Sequence, residues 1–111
     1  MTDKILQFKQ QGDVTLFRKD ITIPATAKEV TGDPRGHVLA EGEVTGHYHG
    51  IEELSDAKLY QDGERMLLEV FSPTELKHQE HDAFVIEPGI WEIGIVQEYD
   101  HFAEEAHRVA D

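Results

Sequence analysis

Apolar and polar residues alternate along several short stretches of the chain, with the period of two that is typical of half-buried β-strands. The clearest stretch covers residues 90–97, and its apolar face consists of Trp91, Ile93 and Ile95. Glu92, Gly94 and Glu98 lie on the other face. We therefore predict a strand at 90–97 whose apolar face lies in the core.

Turn-forming residues separate the predicted strands. Asp62 and Gly63 predict a two-residue hairpin turn, because both residue types accept positive φ angles, and an apolar strand follows at 66–71. Pro88 and Gly89 suit the central positions of a type II turn. We therefore predict a second hairpin, in which this turn joins a strand at 83–87 to the strand at 90–97.

The first half of the chain contains two further candidate strands. A β-prone strand at 14–17 follows a turn signal at Gly12. A long connection rich in proline, glycine and small polar residues covers 20–36, and a strand is predicted at 37–45, with a bulge or bend at Gly42. Short strands at intervals of about ten residues are typical of a small sandwich or barrel.

Only the C-terminal tail has a helical pattern. Between residues 100 and 109, Ala103, Ala106 and Val109 recur with a spacing of three among charged residues. A chain of 111 residues is too short to divide into two stable cores. We therefore predict one β-rich domain over residues 1–111: an all-β, single-domain barrel or sandwich with a short C-terminal helical tail.

Composition excludes several functions. Ten Lys and Arg against 23 Asp and Glu give a net charge of −13, which disfavours binding to nucleic acids and to anionic membranes. Cysteine is absent, so thiol nucleophiles, disulfides and thiolate metal sites are excluded. The longest apolar run, 83–86, is too short for a membrane span, and no leader pattern opens the chain. We expect a soluble, cytoplasmic protein.

Histidine is the unusual residue of this sequence, because seven occur and four of them form two close pairs. His47 and His49 are two residues apart, so on an extended backbone both rings point to the same face. His78 and His81 are three residues apart, so on a turn both rings reach the same side. We predict that these four imidazoles bind one divalent metal ion, provided that the pairs meet. Zinc is the first candidate, since it prefers tetrahedral nitrogen and oxygen ligands, followed by iron or manganese.

Carboxylates near the pairs are the candidate catalytic groups. Glu80 and Glu53 lie close to the histidines in sequence and are the predicted general bases, and Glu52 is a further candidate ligand. Four bound imidazoles would make the ion structural, whereas three would leave a position for water and favour hydrolysis. Tyr48, between two predicted ligands, is expected to face away from them.

Simpler interpretations stay open. Each pair also fits histidines that are solvated or hydrogen-bonded in the core, and we expect solvated side chains for His37, His101 and His107. The alternative function is non-enzymatic: a phage accessory or structural protein, or an acidic inhibitor that binds a host protein. Exposed edge strands would favour a homo-oligomer. A pH-responsive module is a third hypothesis, since protonation of the histidines would roughly halve the negative charge.

Two motifs resemble those of the cupins. The segment from Gly42 to His49, with Glu53 four residues further on, resembles the first cupin motif, and Ile86–Trp91 resembles the second. Cupins present a His-x-His pair and a glutamate to a metal ion inside a β-barrel, so the resemblance implies a cupin-like barrel and a metal-dependent enzyme. This chain departs from the pattern, because the Gly-to-His spacing is one residue short and no histidine closes the second motif.

A second resemblance covers roughly residues 11–110. The chain is similar to a set of small uncharacterised proteins from bacteria and their phages at residues 11–14 (QGDV) and 40–49 (AEGEVTGHYH). The segment His78–His81 and the Pro88-Gly89 turn also fit. This resemblance implies a phage or mobile-element origin, and hence a host cytoplasm, but it implies no activity.

Overall fold

The computed structural model describes residues 4–42, 44–100 and 105–108. Within these residues the chain forms twelve β-strands and one short 3-10 helix, Leu54–Asp56. The strands are β1 (Ile5–Gln11), β2 (Val14–Lys19), β3 (Lys28–Val30), β4 (His37–Glu41), β5 (Tyr48–Ile51), β6 (Ala57–Asp62), β7 (Arg65–Val70), β8 (Thr74–Leu76), β9 (Phe84–Ile86), β10 (Gly89–Ile95), β11 (Gln97–Asp100) and β12 (Glu105–Arg108). No helix among the described residues is long and apolar enough to cross a membrane.

Six strands form one antiparallel sheet in the order β1-β2-β10-β7-β6-β3. β10 lies between β2 and β7, and its Trp91 and Ile93 side chains are buried. The indole nitrogen of Trp91 donates to the carbonyl of Glu87 at 2.9 Å, so the polar atom of this ring is satisfied. The predicted strand and its buried apolar face are thus confirmed over residues 90–95.

Two hairpins, β4–β5 and β8–β9, form a second layer. One antiparallel bridge joins them, in which Gly50 and Lys77 exchange two backbone hydrogen bonds of 2.9 Å. The bridge sets β5 beside the end of β8. The two hairpins therefore lie edge to edge.

The core combines side chains from the large sheet and from the hairpins. Leu16, Leu68 and Trp91 of the large sheet belong to the same buried cluster as Ile51 and Leu76 of the second layer. The large sheet ends at β1 and β3 and does not close on itself. The all-β class is confirmed, and the architecture is sandwich-like, not a closed barrel.

The predicted helical tail at residues 100–109 is wrong for the residues that the structure describes. Residues 97–100 and 105–108 instead pair as the antiparallel hairpin β11–β12. An isolated helix of about ten residues is marginal in water, whereas a hairpin pairs the backbone groups of both segments. Residues 101–104 and 109 of the predicted helix lie outside the described residues.

The two predicted turns differ in outcome. β9 pairs with β8, while β10 pairs with β2 and β7, so Pro88 and Gly89 carry the chain from one layer to the other and form no hairpin. The φ angle of Gly89 is 143°, which favours glycine at this crossing. The β6–β7 hairpin is confirmed, but its two central residues are Gly63 and Glu64.

Candidate metal centre

The two histidine pairs meet because of the register between β5 and the end of β8. Gly50 pairs with Lys77. In an antiparallel ladder, the residue before Gly50 lies opposite the residue after Lys77, which sets His49 opposite His78. One backbone bridge thus brings together residues that are far apart in sequence.

The same register continues toward the start of β5. The backbone N–H of Tyr48 donates to Oε1 of Gln79 at 2.7 Å, which holds the loop after β8 against β5. Nδ1 of His47 lies 3.6 Å from Oε1 of Glu80. The guanidinium carbon of Arg35 lies 4.9 Å from the centre of the Tyr48 ring. Tyr48 therefore packs against Arg35, in keeping with the expectation that it faces away from the predicted ligands.

Four imidazole rings form what we call the histidine cluster: His47, His49, His78 and His81. The ring centre of His78 lies 4.3 Å from that of His49, 4.5 Å from that of His81 and 5.6 Å from that of His47. The ring centres of His49 and His81 are 6.0 Å apart. His49 and His78 are buried, whereas His47 and His81 are partly exposed. The structure therefore brings all four predicted ligands together.

Gln11 fixes the position of the hydrogen on His49. Nε2 of this buried glutamine donates to the carbonyls of Leu76 and Asp82, at 3.0 and 2.9 Å, so Oε1 is the acceptor of the amide. That oxygen lies 2.8 Å from Nδ1 of His49. His49 consequently carries its hydrogen on Nδ1, and in the neutral ring Nε2 has a lone pair. This is the usual arrangement of a histidine that binds a metal through Nε2.

The backbone sets His78 in the opposite tautomer. Its Nδ1 accepts hydrogen bonds from the N–H groups of Glu80 and His81, at 3.0 and 3.3 Å. A neutral imidazole has a single N–H, so the hydrogen of a neutral His78 lies on Nε2. Of the four predicted ligands, His78 is the one whose hydrogen bonds oppose metal binding.

Across the part of the chain that the structure describes, no group of three or more His, Asp or Glu side chains is arranged to hold a metal ion. The rings of the histidine cluster are close together, but they do not present three donors to one point. Metal binding would therefore require rotation of rings within the cluster.

The two predicted general bases lie in different surroundings. Glu80 lies beside His47, with a carboxylate that is 64% exposed. Glu53 caps the short 3-10 helix, where it accepts hydrogen bonds from the hydroxyl and the N–H of Ser55 at 2.8 and 3.2 Å. These bonds lower the pKa of Glu53. Together with Glu52 it lines a cleft of about 230 Å³ that none of the four histidines lines, so Glu80 alone of the two bases lies beside the cluster.

The expectation of a solvated side chain is wrong for His37. This residue in β4 is only 5% exposed, and its Nε2 donates to the carbonyl of Leu54 at 3.1 Å. His37 thus fits the other interpretation, of a histidine that is hydrogen-bonded in the core. His101 and the side chain of His107 lie outside the described residues.

Gln11 is the residue of this site that the sequence pattern does not identify. It belongs to no metal-ligand spacing, and 38 positions separate it from His49. The one feature of the sequence that sets it apart is its place in the segment QGDV, residues 11–14.

The chain belongs to a family described as a domain of unknown function (DUF8820), whose profile matches residues 10–96. That range contains Gln11 and all four residues of the histidine cluster. No curated protein and no solved structure matches the chain. The expectation of an uncharacterised family is confirmed, whereas the resemblance to cupins is not.

Proposed function

We propose that the histidine cluster binds one divalent transition-metal ion, with zinc as the first candidate. The observation that carries the proposal is that two pairs with ligand spacing meet. Across the pairs, the ring centre of His78 lies 4.3 Å from that of His49 and 5.6 Å from that of His47, and the ring centres of His49 and His81 are 6.0 Å apart. Neutral imidazoles are good ligands for zinc, iron and related ions. Burial of polar rings costs desolvation energy, so their concentration in one place favours a functional role over a purely structural one.

Three of the rings are the proposed ligands: His47, His49 and His81. His49 supplies a buried nitrogen without hydrogen, in an orientation that Gln11 holds. The other two rings are partly exposed, so they can turn toward that nitrogen without repacking the core. His78 keeps the two backbone hydrogen bonds at Nδ1 and presents its Nε2–H inside the cluster.

A site with three histidine ligands favours catalysis over a structural role. Zinc with three protein ligands keeps an open position, where it acts as a Lewis acid. Glu80 lies on the exposed side of the cluster, next to His47, and is the proposed proton acceptor. The function that this arrangement supports best is metal-assisted hydrolysis.

Metal content of the full chain tests the proposal. The protein is made without a histidine tag, equilibrated with zinc, dialysed against a weak chelator and analysed by plasma mass spectrometry. We expect about one equivalent of zinc in the wild type and its loss in the His47→Ala/His81→Ala variant. The control is Glu52→Gln/Glu53→Gln, which removes two carboxylates from the acidic cleft and should retain the zinc. A wild type without zinc, or zinc that is lost only from the control, would contradict the proposal.

A further inference from the structure

The side chain of Gln11 connects three segments of the fold. Gln11 is the last residue of β1, next to the turn at Gly12, and it is only 2% exposed. Its amide reaches the carbonyls of Leu76 and Asp82, which flank the loop that carries His78 and His81, and it also reaches His49 on β5. A single buried amide thus joins the large sheet to both halves of the histidine cluster.

The directions of these hydrogen bonds are fixed by chemistry. A primary amide has two N–H groups and one carbonyl oxygen, and both N–H groups of Gln11 donate to backbone carbonyls. Rotation of the amide by 180° would set its oxygen against those two carbonyl oxygens. The oxygen therefore faces His49, and Nδ1 of that ring has to be the donor.

We infer that Gln11 is a positioning residue of the metal centre: it holds the His49 ring with Nε2 toward the cluster and holds the loop with His78 and His81 against β5. This inference rests on the proposed function, because it assigns Gln11 to the same site. Hydrogen bonds to the outer nitrogen of a ligating histidine fix both the tautomer and the ring orientation, and their loss typically weakens metal binding 10- to 100-fold.

Two substitutions separate the two roles of the amide, which accepts a hydrogen bond from His49 and donates to the carbonyls of Leu76 and Asp82. Gln11→Met has a similar length but neither accepts from His49 nor donates to the carbonyls. Gln11→Glu keeps an acceptor for Nδ1 of His49 and loses at least one donor to the carbonyls. The matched control is Gln10→Met, since Gln10 is the exposed neighbour and its amide donates to the carbonyl of Gly12.

The first measurement is the tautomer of His49 in the metal-free, ¹⁵N-labelled full chain, read from long-range ¹H–¹⁵N correlation spectra. We expect the Nδ1–H form in the wild type, in Gln10→Met and in Gln11→Glu, and a shift toward Nε2–H in Gln11→Met. A merely structural role for Gln11 would leave the tautomer unchanged. A wild-type His49 in the Nε2–H form would overturn the inference even if Gln11→Met fails to fold.

The second measurement is zinc affinity by competition with a chelating dye. We expect Gln11→Met to bind zinc at least about ten-fold more weakly than the wild type. The loss of zinc affinity should be smaller in Gln11→Glu, and Gln10→Met should bind zinc as tightly as the wild type. Wild-type affinity and an unchanged tautomer in Gln11→Met would overturn the inference. Absence of zinc binding by the wild type would overturn the proposed function itself, while the tautomer measurement would still decide whether Gln11 orients His49.

Discussion

His49 and His78 lie opposite each other, yet their rings offer different groups to the cluster. Gln11 leaves His49 with a lone pair on Nε2, whereas the backbone of Glu80 and His81 leaves His78 with a hydrogen there. We therefore expect His49→Ala to lower zinc affinity more than about 100-fold and His78→Ala to lower it only about ten-fold, at the low end of the roughly 10- to 100-fold loss caused by removing a hydrogen-bonding group around a metal site. Titration against a chelating dye measures both. Equal losses would make His78 a ligand and the site a closed, structural one.

At the residue scale, sequence reasoning finds groups that are close in sequence and misses groups that meet only in the fold. The spacings of His47 with His49 and of His78 with His81 identify the cluster, because local geometry sets where neighbouring side chains point. The same reasoning misses Gln11, because its hydrogen bonds to the carbonyls of Leu76 and Asp82 span 65 and 71 positions. No local pattern encodes a hydrogen bond of that range.

The β4–β5 hairpin carries the first histidine pair, and a glycine beside β4 determines how closely its strands approach. Gly36 has a φ angle of 104°, and a Cβ atom there would overlap the carbonyl oxygen of Ile51 in β5. Gly36→Ala should therefore lower the free energy of unfolding by about 2–3 kcal/mol. Gly63→Ala is the matched control, because Gly63 has a φ angle of 60° but open space around it, and should cost about 1 kcal/mol. Urea denaturation compares the two, and an equal cost would contradict this packing of β4 on β5.

A partly buried ion cluster links the three central strands of the large sheet. Glu92 in β10 lies 2.6 Å from Nζ of Lys19 in β2 and 3.1 Å from the guanidinium of Arg65 in β7. Burial alone would raise the pKa of Glu92, but the hydrogen bonds and charges of Lys19 and Arg65 outweigh it and hold that pKa below its ordinary value. Because the pKa is lowered by folding, the stabilisation is complete above the unfolded-state pKa and is lost as pH falls through the lower, folded-state value.

Glu92→Gln tests this linkage. At pH 7 the variant should be less stable than the wild type by about 1 kcal/mol, and the difference should shrink toward zero as pH falls through the lowered pKa of Glu92. Urea denaturation over a series of falling pH values measures the difference. A gap that does not change with pH would show that the charge of Glu92 contributes nothing.

At the scale of elements, the strands with clear alternation are predictable and their partners are not. The alternation of Trp91 and Ile93 identifies β10, but Pro88 and Gly89 lead from one layer to the other, and no local signal distinguishes that crossing from a hairpin. The pattern of β1 misleads about its buried face, because its apolar residues Ile5, Leu6 and Phe8 are all exposed and its less exposed positions are polar. Strand pairing depends on which surfaces the whole chain can bury together. For the same reason the helical pattern of the tail did not predict the β11–β12 hairpin.

At the scale of the whole molecule, metal binding would add a link between two segments that already contact each other. The proposed ligands come from β5, from the residue before it and from the loop after β8, and Gln11 ties both segments to the large sheet. A ligand that binds only the folded state stabilises it by mass action, by about 2.7 kcal/mol at a concentration of 100 times Kd. Zinc should therefore raise the thermal midpoint of the wild type and leave that of His47→Ala/His81→Ala unchanged. A similar zinc response in both proteins would place the ion elsewhere, for example among the carboxylates that give this chain its charge of −13.

The most direct test of the central claim is a zinc-edge X-ray absorption spectrum of the full chain loaded with one equivalent of zinc. The account predicts about three imidazole nitrogens at roughly 2.0–2.1 Å, with the multiple-scattering pattern of histidine, and one further light-atom ligand. A shell of oxygen atoms without imidazole scattering would contradict it.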